Sequence, residues 1–309
     1  MSRSVETFAA ETAAVGEHHL LLTGHPAAQQ AVALQVARAR KTNIVFSDAD
    51  DTAGRLLGTS AEAGRVSAAD QGVLYLDQAY TRDAGQLDAL RQPLDTGSIS
   101  LHHSSGVLNR PAQFQLVLDG GPQVSPARRL SGPLLDRMDM RLHTTGRIDE
   151  IDPVRVDQAR EAMFHRLSTL GEQSRQGRRN RDLSIETLAG KLAPGREAMQ
   201  DLNRALDRAE LSLRGYARTL RTAWSVADLH GHHSPTREDV ATAYDLRRGE
   251  TEMLTGEGTR KPTLSAEQER HLFKGQRSAP RAVKSAAEQL PAGYSLPSST
   301  TSAGPELDR

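Results

Sequence analysis

The sequence contains no cysteine, which excludes disulfides, iron–sulfur clusters and thiolate zinc sites; any metal has to be held by oxygen or imidazole ligands. Aromatic residues make up 4%, so a core must be assembled from Leu, Val, Ala and Ile. Neither sign of charge prevails: 39 Lys and Arg stand against 39 Asp and Glu, and no global field steers the chain to nucleic acid or to an anionic membrane. Long apolar runs are missing too. Leu20-Leu21-Leu22 and Val73-Leu74-Tyr75-Leu76 fall far short of the roughly 20 residues that span a bilayer. The acidic, alanine-rich stretch from Met1 to Gly16 has no basic segment followed by an apolar core, which predicts no export, no membrane partner and a cytoplasmic location.

What is present is a chain of 309 residues, 37% of them hydrophobic, enough for one large or two modest cores. Val5–Val15 reads as a short helix. His19–Thr23 is a compact apolar strand ending at Gly24-His25-Pro26, Ala27–Arg40 has helical spacing, and Asn43–Ser47 is a second strand; this βαβ opening predicts a mostly parallel sheet. Gly72–Asp77 and Phe114–Leu118 are continuous apolar runs of the kind buried on both faces. Gln86–Leu94 reads as a helix closed near Pro93, Ser98–Leu101 with Gly106–Leu108 as a hairpin, and Leu130–Met140 as the way out of the α/β region. Beyond Pro153 helices dominate: Val154–Leu170, Ser184–Leu192, Arg196–Glu210, Ser212–His230 and Thr236–Arg248, several with Ser, Thr or Asp at their starts. From Thr255 the composition turns to Gly, Pro, Ser, Thr and charge, with a short helix at Ser265–Lys274. The expected division is an α/β core over 1–148, a helical lid over 149–254 and a mostly disordered tail over 255–309.

Four blocks, in order, carry a resemblance. They are Gly72-Val-Leu-Tyr-Leu-Asp77-Gln78 with Leu87–Leu94 and Gly97–Ser100; Pro111–Val117; Arg129–Asp139; and Leu211–Tyr216 with Leu220-Arg221 and Ala227–Leu229. Together they resemble the magnesium chelatase subunit I-like AAA+ ATPases, in the ComM/YifB branch. The resemblance covers about Gly16 to Arg248 and leaves no room for the amino-terminal domain such proteins usually carry. It implies a P-loop-NTPase-like parallel sheet flanked by helices, followed by a small all-helical lid. It also implies ATP and Mg²⁺ as cofactors.

Placed on the family's motifs, Gly24, Pro26, Gln30 and Ala31 occupy the phosphate loop. Gln29 stands at the second glycine, Gln30 at the lysine and Ala31 at the hydroxyl residue. A neutral amide cannot replace an ammonium beside the phosphates, and Ala31 offers Mg²⁺ no oxygen. Asp77 takes the place of the metal-binding carboxylate, with a strand-end or helix-capping role as the alternative. Gln78 stands where a catalytic glutamate is expected and cannot accept a proton. Gly121 falls at the asparagine that positions water. Arg137 matches the arginine finger; the alternative is a structural cluster with Asp136 and Asp139. Arg218, or Arg214, matches the sensor-2 arginine, and either equally suits a solvated helix face.

Two further groups stand apart. His230, His232 and His233 lie at a helix end with no carboxylate in evident metal spacing, which favours a loop. Arg175, Arg178, Arg179 and Arg181 form a basic run suited to DNA phosphates or to a solvated loop.

The function this predicts is a non-hydrolysing scaffold or regulatory ring subunit with an eroded ATP site, partnered by itself or by an intact AAA+ relative, a hexamer being one form. The alternative is a divergent ATP-dependent motor acting on DNA. Metal insertion as in the chelatases is a third reading, set against the absence of a porphyrin-handling domain.

Overall fold

The structure, a computed structural model, describes residues 4–103, 106–122, 130–146, 148–170 and 179–260. Helix α1 (Val5–Gly16) starts where the Ser4 side chain accepts from the Thr7 N–H and ends at Glu17 in the left-handed region. The chain then alternates: β1 (Leu20–Gly24), α2 (Pro26–Ala39), β2 (Ile44–Ser47), short helices α3 (Ala53–Leu57) and α4 (Arg65–Ala68), and β3 (Val73–Leu76). Next come α5 (Ala84–Ala89), α6 (Arg91–Thr96), the hairpin strands β4 (Ser98–His103) and β5 (Gly106–Pro111), β6 (Gln115–Asp119), α7 (Gly132–Leu135) and β7 (Met140–Thr144). Five strands form one parallel sheet in the order β2-β3-β6-β1-β7. The hairpin is a separate two-stranded ladder between β3 and β6. A five-stranded parallel sheet flanked by helices and followed by a helical region is a P-loop-NTPase-like α/β fold.

Strand alternation divides the core. Leu20, Leu22, Val73, Tyr75 and Val117 face a cluster with α1 and α2, while Leu21, Leu74, Leu76, Leu116 and Leu118 face a second one with Leu56, Leu87, Leu90 and Leu134. Period-2 side-chain alternation in strands buried on both faces produces this split. The continuous apolar runs of the sequence are those strands. Strand β7 is absent from the sequence reading, because only Met140, Leu142 and Thr144 of it are buried and its outer neighbours, Arg141 and His143, are polar.

The helical region holds α8 (Pro153–Thr169), α9 (Ile185–Ala189), α10 (Gln200–Asp207), α11 (Leu213–His230) and α12 (Arg237–Arg248). Asp152 caps α8 ahead of Pro153, and Thr236 with Asp239 forms a reciprocal capping box on α12, each satisfying N–H groups the helix leaves open. Met163, Leu188, Leu202, Leu220, Trp224 and Val240 build its own apolar cluster. Val226, Leu229 and Leu246 instead join the sheet-side core beside α1. The segment read as one helix, Gln86–Leu94, is two, and Pro93 lies inside α6 instead of closing it. Past α12, Leu254 pairs with Arg260 in an isolated bridge, and Arg260 makes a two-pronged pair with Asp245. Ser265–Lys274 lies outside the described residues. No helix among the described residues is long and apolar enough to cross a membrane.

Candidate functional site

Gly24 ends β1 with φ +101°, and a Cβ there would meet the Thr144 carbonyl oxygen at 2.2 Å, so only glycine fits. Helix α2 begins almost at once, at Pro26. The N–H groups of the intervening turn already have partners: Gly24 N donates to Gly121 O (2.9 Å), His25 N to Thr144 O (3.1 Å), and Ala28 N and Gln29 N to His25 O (3.0 and 3.1 Å). Gln29 is fully buried, and its amide nitrogen donates to the Gly24 carbonyl at 3.1 Å. Gln30 is exposed, and Ala31 is half-buried on the next turn.

Asp77 follows β3, half-buried, and accepts from its neighbour Gln78 Nε2 at 3.3 Å. It caps no helix. The 3-10 turn Ala79–Thr81 is preceded instead by Gln78, in the left-handed region at φ 44°. Asp119, at the end of β6, ties the segments together: it is buried and accepts from Gly121 N (2.8 Å) and Gln78 N (3.1 Å). Burial and the nearby Asp77 charge raise its pKa despite these hydrogen bonds. Gly121 has φ +91°, and the Tyr80 ring lies 2.8 Å from where its Cβ would sit. Arg82, also buried, donates to the main-chain oxygens of Asp77 (3.2 Å), Ser47 (2.7 Å) and Asp48. Gly24, Pro26, Gln30, Ala31, Asp77 and Gln78 thus gather at the carboxyl ends of the parallel strands. Asp119 and Arg82 were not foreseen, although Asp119 repeats the Asp77 signal of a carboxylate closing a continuous apolar run.

The two arginines lie at the other edge. Arg137 precedes β7 and forms a forked pair with Asp95, through Nε–Oδ1 at 2.9 Å and Nη2–Oδ2, with Nη1 donating to Pro133 O at 2.7 Å. It is 4% exposed and lines a cavity of about 440 Å³ with Asp95, Arg91 and Gln92. Its partner is therefore Asp95, in place of the expected cluster with Asp136 and Asp139. Asp139 pairs with Arg218 (Nη1–Oδ1, 2.5 Å) and accepts from His19 N at 2.7 Å; the guanidinium and neighbouring histidines hold its pKa well below the usual carboxylate range although burial opposes this. Arg218 is buried on α11, not on a solvated face, whereas Arg214 is exposed, 3.6 Å from Asp136. Arg218 and Arg214 line a cavity of about 630 Å³ with Arg179, Arg181, Arg221, His19 and Phe114. His19 and Phe114 stand just before β1 and β6, so this cavity opens at the amino ends of the strands.

Two further sequence expectations need correction. Arg179 and Arg181 are 7% and 8% exposed, not a solvated or DNA-facing run. Arg179 bonds Glu17 (3.1 Å) and Asp182 (2.5 Å), and Arg181 donates to the main-chain oxygens of Glu17 (3.0 Å) and Phe114 (2.8 Å). Arg175 and Arg178 lie outside the described residues. His230 and His232 do have a carboxylate: each Nδ1 lies 2.7 Å from an oxygen of Asp239.

Comparison with known proteins agrees with this architecture. The family model described as magnesium chelatase, subunit ChlI, matches residues 46–127, and that of its C-terminal region matches residues 152–247. An uncharacterised protein of Mycobacterium tuberculosis (strain H37Rv) is 33% identical over 304 residues, 80% of this chain and 60% of its own length. The competence protein ComM of Haemophilus influenzae is 30% identical over 224 residues, 62% of this chain and 42% of its own. The magnesium-chelatase subunit ChlI of Nephroselmis olivacea is 26% identical over 196 residues, 60% and 52% of the two chains. The chain belongs to the magnesium chelatase-like, ComM/YifB family of AAA+ proteins. It spans about 60% of the length of the most similar of these relatives.

Proposed function

We propose that this chain is a ring subunit whose own nucleotide site is silent, a scaffold or regulator that assembles with itself or with an intact relative. The observation that carries this reading is the separation of the motif residues. Gly24, Gln30 and Asp77 stand at the carboxyl ends of the strands and Arg137 and Arg218 at the amino ends, and a strand of five residues is about 16 Å long at 3.3 Å per residue. Within one chain the two sets do not converge on one phosphate.

The family implies ATP and Mg²⁺, and the strand-end residues do not fit them. A triphosphate needs free N–H groups and fixed positive charge. The N–H groups of Gly24, His25, Ala28 and Gln29 are committed to Gly121, Thr144 and His25, and the buried Gln29 holds the Gly24 carbonyl through its side-chain amide. The carboxylates of Asp77 and Asp119 at the same strand ends repel phosphate, the Arg82 guanidinium there is committed to the main-chain oxygens of Asp77, Ser47 and Asp48, and Ala31 lacks a hydroxyl and Gln78 a base to serve metal and water. No hydrolytic step is assigned to this site.

Arg137 and Arg218 have a use in an assembly, where a neighbour's nucleotide meets the opposite edge and a guanidinium stabilises charge on the transferred phosphoryl. In the single chain both are held by acids, so the neighbour has to compete with Asp95 and Asp139. Mixing the chain with an intact relative and measuring ATP turnover tests this. Turnover that responds to the wild-type chain and loses the response with Arg137→Ala supports it; identical turnover with and without the chain, together with no co-assembly in native mass spectrometry, contradicts it. The alternative of a DNA-acting motor is weakened by the burial of Arg179 and Arg181.

A further inference from the structure

Helix α11 ends at His230, and Gly231, in the left-handed region at φ 73°, turns the chain back so that His232 lies beside it, ring centroids 5.4 Å apart. Both imidazoles face Asp239, a fully buried residue in the first turn of α12. His230 Nδ1 stands 2.7 Å from Oδ1, and His232 Nδ1 stands 2.7 Å from Oδ2. Among the described residues this is the grouping of His, Asp or Glu side chains whose three ligand atoms lie within 4.8 Å of one another.

The other nitrogen of His230 decides how the group can be charged. Nε2 lies 2.8 Å from the Glu257 carbonyl oxygen, which can only accept, so the ring donates there. Nδ1 of a neutral ring is then a lone pair pointing at a carboxylate oxygen, and two acceptors at 2.7 Å require a positive particle between them. A proton satisfies this at the observed spacing, whereas a metal ion, with bonds of about 2.0–2.2 Å, would do so with the ligand atoms moved to roughly 3.3 Å apart. A ring that gives its remote N–H to a backbone carbonyl is the usual outer support of a metal-ligating histidine, since it fixes tautomer and orientation. Further contacts hold the group in place: the Phe8 ring stacks on His230 at 5.7 Å, and Thr236 donates its N–H (2.8 Å) and hydroxyl (2.9 Å) to Asp239 Oδ2. The side chain of His232 is 41% exposed, which leaves a path for an ion and room for the ring to retreat as metal replaces proton.

We propose that His230, His232 and Asp239 form a binding site for a first-row divalent cation of the zinc type. Two imidazoles and one carboxylate suit zinc, cobalt or nickel, whereas calcium and magnesium prefer all-oxygen shells. Three protein ligands leave a coordination position for water. The bound ion links the end of α11, the start of α12 and, through the Glu257 carbonyl, the Thr255–Arg260 segment.

The test is titration of tag-free protein with Co²⁺, followed by visible absorption, then displacement by Zn²⁺. Tetrahedral ligand-field bands saturating at one equivalent and erased by Zn²⁺ are expected. His232→Ala, at a partly exposed position, is expected to weaken Zn²⁺ binding more than about tenfold while the metal-free protein keeps its helical circular dichroism, and His233→Ala to bind as the wild type does. Absence of the bands in wild-type protein, or bands undiminished in both His232→Ala and His230→Gln, would overturn the assignment.

Discussion

The side-chain amide of Gln29 donates to the carbonyl oxygen of Gly24 at 3.1 Å, so the turn after β1 is closed by a residue of its own helix. Position 30 lies one residue further on, inside the same helix. A lysine placed there adds one charge without freeing the N–H groups of the turn. Gln30→Lys is therefore expected to leave magnesium–ATP binding undetectable in a fluorescent-nucleotide titration; micromolar affinity from this single change would mean that the turn opens readily.

Gly121 is confined by both backbone and neighbour, with φ +91° and the Tyr80 ring 2.8 Å from the Cβ position. Gly121→Asn is expected to destabilise the fold by about 1–3 kcal/mol from overpacking. Pairing it with Tyr80→Ala should recover part of the loss, measurable in urea as a coupling between the two changes. A neutral Gly121→Asn would show that the loop relocates without strain.

Arg137 and Asp95 make a forked pair in which the arginine is buried and the aspartate is 43% exposed. Water screens the exposed partner, so Asp95→Ala should cost about 1–2 kcal/mol, less than the loss of a fully buried pair. The same substitution releases Arg137. If the arginine acts on a neighbour, Asp95→Ala should enhance the chain's effect on an intact relative's ATPase, whereas Arg137→Ala removes it; equal effects from both would assign the pair a structural role alone.

Acid stability is expected to fall in two stages. Burial lowers the His18 pKa from 6.5 to about 4 and holds His19 well below 6.5. Between pH 6.5 and 4 the unfolded chain binds more protons than the folded one, so stability is lost as pH falls through that window, by up to about 3 kcal/mol for His18 alone. Glu17 follows. Burial would raise its pKa, but Arg40, Arg181, Arg179 and Arg160 hold it at about 2, so its stabilising charge is intact above 4.5 and is lost between 4.5 and 2. His18→Gln should flatten the upper stage of a urea-midpoint profile against pH, and an unchanged slope would count against neutral burial of this ring.

The parts of the fold written as local patterns were legible. Buried strands appear as unbroken apolar runs at Leu20–Leu22, Val73–Leu76 and Leu116–Leu118, and helix starts appear as caps at Asp152, Ser212 and Thr236. Strand β7 was not, because the polar Arg141 and His143 interrupt its buried residues. Partners distant in sequence were hidden for a different reason: Arg179 and Arg181 look solvated until Glu17, 162 residues before Arg179, is brought to them, and Arg137 has two acids within two residues yet pairs with Asp95. Asp239 is only seven residues from His232 but reads as a helix cap, and it is both cap and histidine partner at once. The residue types at Gln29, Gln30 and Ala31 were legible by position, whereas the hydrogen bond from the buried Gln29 to the Gly24 carbonyl required coordinates.

The most direct measurement is calorimetric titration of magnesium–ATP into the purified chain, with phosphate release followed in the same samples. No binding heat and no turnover above buffer are predicted, for the wild type and for Asp77→Ala alike. Saturable binding with Mg²⁺-dependent phosphate release that disappears in Asp77→Ala would contradict a silent strand-end site.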